Sequence, residues 1–208
     1  MMESIYGKYE PVINIIRDDI EERLVSYQEE QMQRTGEKGY EHLSIRIKSD
    51  TSMREKCIRK GLDETAESAL FVLKDAIGVR VVCSFVEDIF AVAEYIKAFD
   101  DYEVIEEKDY IRHAKPNGYR SYHIILAVKV PYEDVKGNNP GTYYIEMQLR
   151  TIAMDTWAAL EHKMKYKKDI PNQALLVSEL KRVADELASC DLSMQTIRDL
   201  IDSYPTTE

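Results

Sequence analysis

Cysteine is scarce in this chain: Cys57, Cys83 and Cys190 are its only three, and no two of them form a Cys-x-x-Cys pair. That argues against a disulfide-stapled scaffold or a cysteine zinc cluster. It suits a reducing cytoplasm, with all three thiols buried as small apolar groups. Long apolar runs are also missing. The longest uncharged stretches, 137–145 and 170–178, have nine residues each, against the roughly 20 that a membrane-spanning helix needs. The opening MMESIYGKYE lacks a basic-then-apolar pattern, so no secretory leader is expected. The four histidines, His42, His113, His123 and His162, are scattered, and none is followed by Asp. Neither Gly-x-x-x-x-Gly-Lys-Ser/Thr nor Gly-x-Gly-x-x-Gly occurs, which removes the common phosphate loops. No internal repeat or low-complexity linker interrupts the 208 residues. One domain over 1–208 is therefore expected, with a core at about 10–170 and a C-terminal helix over 172–204.

What is present is charge, unevenly spread. The net charge is −10, yet segment 46–60 carries +4, and segments 108–123 and 161–168 carry +3 each. The rest of the chain is thus −20. An acidic protein that concentrates its cations suits a compact polyanion such as a nucleoside triphosphate, whereas a long nucleic acid favours a broad basic face.

Periodicity predicts helices over 10–33, 64–74, 87–98 and 151–166, and a short basic helix ending at Gly61. Ser52 is the expected N-cap of that short helix, with Glu55 completing a capping box. Strands are expected over 42–48, 77–85, 102–111, 121–130 and 142–150, and KGNNPG (136–141) joins the last two as a hairpin. The result is an α/β domain around a mixed sheet. Beyond Pro171, apolar residues at 176, 180, 183, 187, 190, 194, 197 and 201 alternate steps of four and three, a heptad seam. It serves either a helix packed on its own domain or a self-association surface.

Strand 142–150 turns Tyr144, Glu146, Gln148 and Arg150 to one face, which marks that face as wet and functional. Asp75, opening DAIGVRVV, is placed to share a magnesium ion with Glu146, since Mg²⁺ commonly takes one or two carboxylates plus phosphate oxygens. Arg80 is five residues on, so either Asp75 precedes the strand or Gly78 marks a bulge. In KPNGYRSYH (115–123), Tyr119, Ser121 and His123 share one parity, giving a ring to stack on a base with polar groups beside it. Arg46 and Lys48 share a face, as phosphate-binding or base-stacking cations would.

Four stretches, RIKSDTSMREKCIRKG (46–61), DAIGVRVVCSFVEDIF (75–90), KPNGYRSYHIIL (115–126) and EMQLRTIAMDTWAALEHKMKYK (146–167), together resemble the synthetase domain of the RelA/SpoT family. The likeness is greatest to its single-domain members, the small alarmone synthetases. The resemblance implies a nucleotidyltransferase-like fold, with a mainly antiparallel five-stranded sheet flanked by helices and a long C-terminal helix. It implies Mg-dependent transfer of the β,γ-pyrophosphate of ATP to the 3′-hydroxyl of GTP, GDP or GMP, with release of AMP. On that likeness Asp75 and Glu146 hold the metal, and Glu146 also deprotonates the attacking hydroxyl. Arg46 and Arg80 sandwich adenine, while Lys48, Ser52, Lys56 and Arg59 hold the ATP phosphates. Tyr119 stacks on guanine, with Lys115, Asn117, His123 and Gln148 nearby. The family's upstream hydrolase has a His-Asp signature that this sequence lacks, so synthesis without hydrolysis is expected. The resemblance also implies a homo-oligomer, a tetramer first, and single-stranded RNA is an open regulator. Two rivals stay open: a toxin-like relative that modifies tRNA 3′ ends or adenine nucleotides, and a non-catalytic nucleotide- or RNA-binding module.

Overall fold

Strands with one apolar and one polar edge build the centre of the molecule, and the computed structural model describes residues 4–165 and 172–204 around them. The strands are β1 (His42–Ile47), β2 (Ile77–Cys83), β3 (Tyr102–Asp109), β4 (Tyr122–Val130) and β5 (Gly141–Thr151). They form one sheet in the order β1-β2-β5-β4-β3. β2 and β5 pair in parallel, and every other pair is antiparallel.

The alternation decides what each face meets. Val79 and Val81, Ile124 and Leu126, and Ile145, Met147 and Leu149 all point to one side and are buried. Helix α1 (Glu10–Thr35) brings Ile13, Ile16, Ile20 and Leu24 into that core, and α3 (Val86–Lys97) adds Ile89, Val92 and Ile96. Each such fully buried side chain contributes about 2 kcal/mol. The opposite face carries Ser44, Arg46, Arg80, Glu146, Gln148 and His123, and it stays partly open. Gly36, at φ 76° and donating its N–H to the Met32 carbonyl, stops α1.

Two local expectations are corrected. Helix α2 (Asp50–Lys60) is capped by Ser49, not Ser52: Ser49 is extended at φ −60°, ψ 149°, and its Oγ accepts from the Ser52 N–H. The helix starts earlier because Asp50 fits its first turn, where the carboxylate meets the positive end of the helix dipole and also accepts from Ile5 N at 2.5 Å. The helix read over 64–74 narrows to 66–72, and Ser68–Val72 is a π-helical turn. It ends where Leu73 N donates to Ser68 O, and Lys74 then takes a left-handed φ of 56°.

β5 runs directly into α4 (Ile152–Lys165), and α5 (Gln173–Ser203) lies back across it. The heptad seam divides. Leu180 and Ala184 are buried against Trp157, whose Nε1 donates to the Leu180 carbonyl at 2.9 Å. Val183, Met194, Ile197 and Ile201 remain exposed. Cys57 and Cys83 are buried as expected, but Cys190 is exposed, because the stripe of α5 that packs on the domain runs through Leu180, Ala184 and Gln195 and leaves Cys190 off it. Positions 166–168 of the third cation cluster lie outside the described residues, as do the end of the fourth motif and Pro171. Among the described residues no helix is long and apolar enough to cross a membrane.

Candidate active site

Strand register lays the polar face out in rows. Ser44, Arg80, Gln148, His123 and Lys108 stand side by side across β1, β2, β5, β4 and β3. One step along, Arg46, Gly78, Glu146 and Ile125 form the next row. Gly78 supplies no side chain, so the floor between Arg46 and Glu146 is open: a Cβ there would meet only the Arg46 carbonyl, at 3.9 Å. The outcome is a cleft of about 170 Å³ lined by Arg46, Lys48, Asp75, Arg80, Glu146 and Gln148, with Ser44 at its edge. Six of the residues singled out in the sequence thus meet in one place.

Asp75 reaches the cleft because it precedes the strand. The β1–β2 and β2–β5 registers pass Gly78 without a shift, so the bulge alternative is set aside, and the left-handed turn at Lys74 aims Asp75 instead. Its carboxylate is buried, and Oδ2 takes the ammonium groups of both Lys48 and Lys56. A buried carboxylate is tolerable only with such partners. Oδ1 is buried with no hydrogen-bond partner among the described residues. An orphaned, buried carboxylate oxygen in a cleft shared with Glu146 fits a hard divalent cation completed by phosphate oxygens. It does not fit a self-contained metal cage: among the described residues no three His, Cys, Asp or Glu side chains gather.

The second half of the site lies beyond Gln148. The turn 115–119 is drawn closed by Lys115 N donating to Tyr119 O and Gly118 N to Lys115 O, and Tyr119 N donates to Asn117 Oδ1. Asn117 Nδ2 reaches Glu161 Oε1 at 3.1 Å, so Asn117 ties the turn to α4. Tyr119 lies among Tyr110, His123 and Trp157, with ring centroids 5.9–6.1 Å away. The Lys115 ammonium rests over both the Tyr110 and Tyr119 rings, at 4.5 and 4.8 Å.

Burial, with Arg150, Lys115 and Lys108 adding positive charge, pushes the His123 pKa down to about 4. His123 is therefore neutral in the folded protein at pH 7, and folding loses stability as pH falls from 6.5, the unfolded value, toward 4. The contribution fully present above pH 6.5 is about 3 kcal/mol. His123→Gln is expected to flatten that part of the stability–pH curve, read from urea midpoints between pH 4 and 7. An unchanged slope would contradict the burial argument.

Not everything converges. Ser52 is exposed on the first turn of α2, its hydroxyl 3.0 Å from that of Ser49, and Arg59 is exposed on the last turn. Neither lines the cleft. Conversely, Arg150, which donates to Tyr119, Gln148 and Asp155, and Tyr110, which lies under Lys115, belong to the second half of the site. The sequence gives Arg150 no role beyond its face and gives Asp155 and Tyr110 none. The parity of β5 put Arg150 beside Gln148, which was the available signal. Asp155 and Tyr110 join through tertiary contacts that no local pattern carries.

Paired carboxylates and a ring of cations on the open face of a mixed sheet define a phosphoryl-type transferase that handles nucleotides. The chain belongs to the RelA/SpoT family: a family described as "Region found in RelA / SpoT proteins" matches residues 45–171. The GTP pyrophosphokinase YwaC of Bacillus subtilis (strain 168) is 40% identical over 169 residues, covering 80% of this chain and 78% of that protein. Small alarmone synthetase 2 from Bacillus subtilis has a crystal structure that is similar at TM-score 0.75 and 36% identity, covering 90% of this chain and 95% of the other. Small alarmone synthetase 1 from the same organism, bound to its product pppGpp, is similar at TM-score 0.76 and 28% identity, over 90% and 93% of the two chains.

Proposed function

We propose that this chain is a GTP pyrophosphokinase that moves the β,γ-pyrophosphate of ATP onto the 3′-oxygen of GTP or GDP, and of GMP where offered. The 3′-oxygen attacks the β-phosphorus, the bond from that phosphorus to the oxygen of AMP breaks, and Glu146 takes the hydroxyl proton. The observation that carries this reading is the buried Asp75, with one oxygen orphaned and the other held by Lys48 and Lys56, in the cleft that Glu146 shares.

Mg²⁺, when bound by Asp75 and Glu146 with phosphate oxygens, supplies charge neutralisation at the transferring group. Lys48 and Lys56 take phosphate oxygens on the donor side, with Ser52 and Arg59 reached along α2. Arg46 and Arg80, flanking Gly78, grip the adenine between them. Tyr119 takes the guanine face, and Lys115, Asn117, His123 and Gln148 surround it. None of the four histidines is followed by Asp, the signature of the family's hydrolase, so synthesis without hydrolysis is part of the proposal. The exposed apolar residues of α5 favour assembly with further copies, a tetramer first, which light scattering would read.

The direct test is γ-labelled ATP with Mg²⁺ and, in parallel, GTP, GDP, GMP, ATP alone or bulk tRNA, resolved by thin-layer chromatography. Label on a guanine nucleotide with AMP released is the expected result. Label on tRNA or adenine nucleotide alone moves the chain to the toxin-like reading, and no transfer by folded protein favours a binding module. Tyr119→Ala should cost acceptor binding about 1–3 kcal/mol through lost stacking, with ATP little changed. Steady-state KM values for the two substrates check it, and equal losses would place Tyr119 outside the acceptor site.

A further inference from the structure

At the end of β5 the Arg150 side chain is buried, 9% exposed, and spends its guanidinium on four neighbours. Nε points to Ser121 Oγ at 3.4 Å, and Nη1 donates to Asp155 Oδ1 at 3.0 Å. Nη2 donates to Tyr119 Oη and Gln148 Oε1, each at 2.8 Å. A guanidinium can only donate. Tyr119 Oη therefore accepts from Arg150, and of the two imidazole tautomers the one bare at Nε2 gives the Tyr119 proton a partner in His123, 2.8 Å away. That tautomer keeps the imidazole proton on Nδ1. Likewise Gln148 must turn its carbonyl to Arg150, so the other end of the amide is a donor. One buried cation thus sets the hydrogen-bond polarity of Tyr119, His123 and Gln148.

Asp155 makes the connection wider. The same Oδ1 that accepts from Arg150 lies 3.4 Å from Nη1 of Arg80, on the donor side of the cleft. A single carboxylate oxygen thereby joins a cation of each half.

We infer that Arg150 is a positioning residue that orients the Tyr119–His123–Gln148 group, and that Asp155 ties this group to Arg80 so that the two halves of the site are held in mutual register. The inference deepens the reading in which Tyr119 takes the acceptor base and Arg80 the donor base, and rests on it for its kinetic consequences. The polarity argument stands on the hydrogen bonds alone.

The test joins a spectroscopic and a kinetic measurement. In ¹⁵N-labelled protein without nucleotide at pH 7, the His123 ring should show a single form, protonated at Nδ1 and bare at Nε2. Arg150→Met should turn that form into a mixture of tautomers, raise the acceptor KM about tenfold or more, and move the ATP KM less than about threefold. Arg150→Lys keeps a charge but loses the planar fork, and should fall between wild type and Arg150→Met. If Arg150→Met does not fold, the Arg150→Lys spectrum and KM values decide in its place. Asp155→Asn should raise both KM values together, because it releases Arg80 and Arg150 at once. An unchanged His123 tautomer, or an acceptor KM within about twofold of wild type, overturns the positioning role. A response of only one KM, or neither, to Asp155→Asn overturns the tie. Since the tautomer is read with no nucleotide present, a chain that transfers nothing to guanine nucleotides would sink the functional reading while the His123 spectrum still judged Arg150.

Discussion

Glu146→Gln should abolish turnover while both nucleotides still bind. The amide has nearly the shape of the carboxylate, and Glu146 forms no ion pair among the described residues, so the fold has no need of its charge. Its neighbours across the sheet, Gly78 and Ile125, place no demand on charge either. What the substitution removes is the proton acceptor for the attacking hydroxyl, worth about 10²–10⁴ in rate, together with one of two carboxylates for the cation. A combined loss of at least about 10³ is expected. Labelled-phosphate transfer would measure it, and calorimetric titration with a non-hydrolysable ATP analogue would confirm that binding survives. Turnover within about tenfold of wild type would remove Glu146 from the chemistry. Asp75→Asn makes a useful contrast. Asp75 is buried and answers two half-buried lysine ammonium groups, so its loss leaves those cations without their shared carboxylate and should lower stability as well as activity. Separate behaviour of the two variants would distinguish a carboxylate that only does chemistry from one that also holds the site together.

The strands were legible because burial on one face imposes a period of two, and β5 shows it unbroken from Tyr143 to Leu149. That same alternation made Glu146 and Gln148 visible as one functional edge. For Asp75 it left two alternatives, a residue before the strand or a bulge at Gly78, and the choice of the first rests on a left-handed residue at Lys74 that no hydrophobic pattern encodes. The α2 cap was misplaced for another reason: both Ser49 and Ser52 can cap, and only Ser52 has a Glu three residues on, yet Ser49 is the cap. Only the end of β1 and the contact of Asp50 with Ile5 choose between them. The alternation puts Arg150 on the right face but does not show its importance, which lies in partners from α4 and the 115–121 turn. Of the heptad seam only Leu180 is buried, with Leu176 and Leu187 half-buried, and the buried stripe of α5 continues instead through Ala184 and Gln195. How the seam would divide between α4 and solvent depends on where α5 crosses, which is a tertiary matter.

Gly118→Ala is expected to lower stability by about 2–4 kcal/mol, combining backbone strain with overpacking, and to weaken the acceptor with it. Gly118 sits at φ +88°, a conformation an L side chain resists, directly before Tyr119. A Cβ there would stand 2.4 Å from the Ala184 Cβ and 3.0 Å from the Lys181 Cα, both on α5. Relief by moving α5 is costly, because that helix is pinned at three points along its length. Trp157 Nε1 holds the Leu180 carbonyl at 2.9 Å, Arg120 Nη2 holds Asp185 at 3.1 Å, and Thr151 Oγ1 holds Asp191 at 2.7 Å. Relief by moving the turn instead shifts Tyr119, whose hydroxyl is fixed by Arg150 and His123. Either way the strain falls on the acceptor half, so thermal midpoint and acceptor KM should worsen together while the ATP KM changes little. Adding Ala184→Gly removes the Cβ contact but neither the left-handed strain nor the Lys181 backbone. It should restore only the packing part, about 1–2 kcal/mol. A Gly118→Ala protein with wild-type melting and acceptor KM would show that α5 and the turn are not held against each other. Stability lost with the acceptor KM intact would make the contact purely structural.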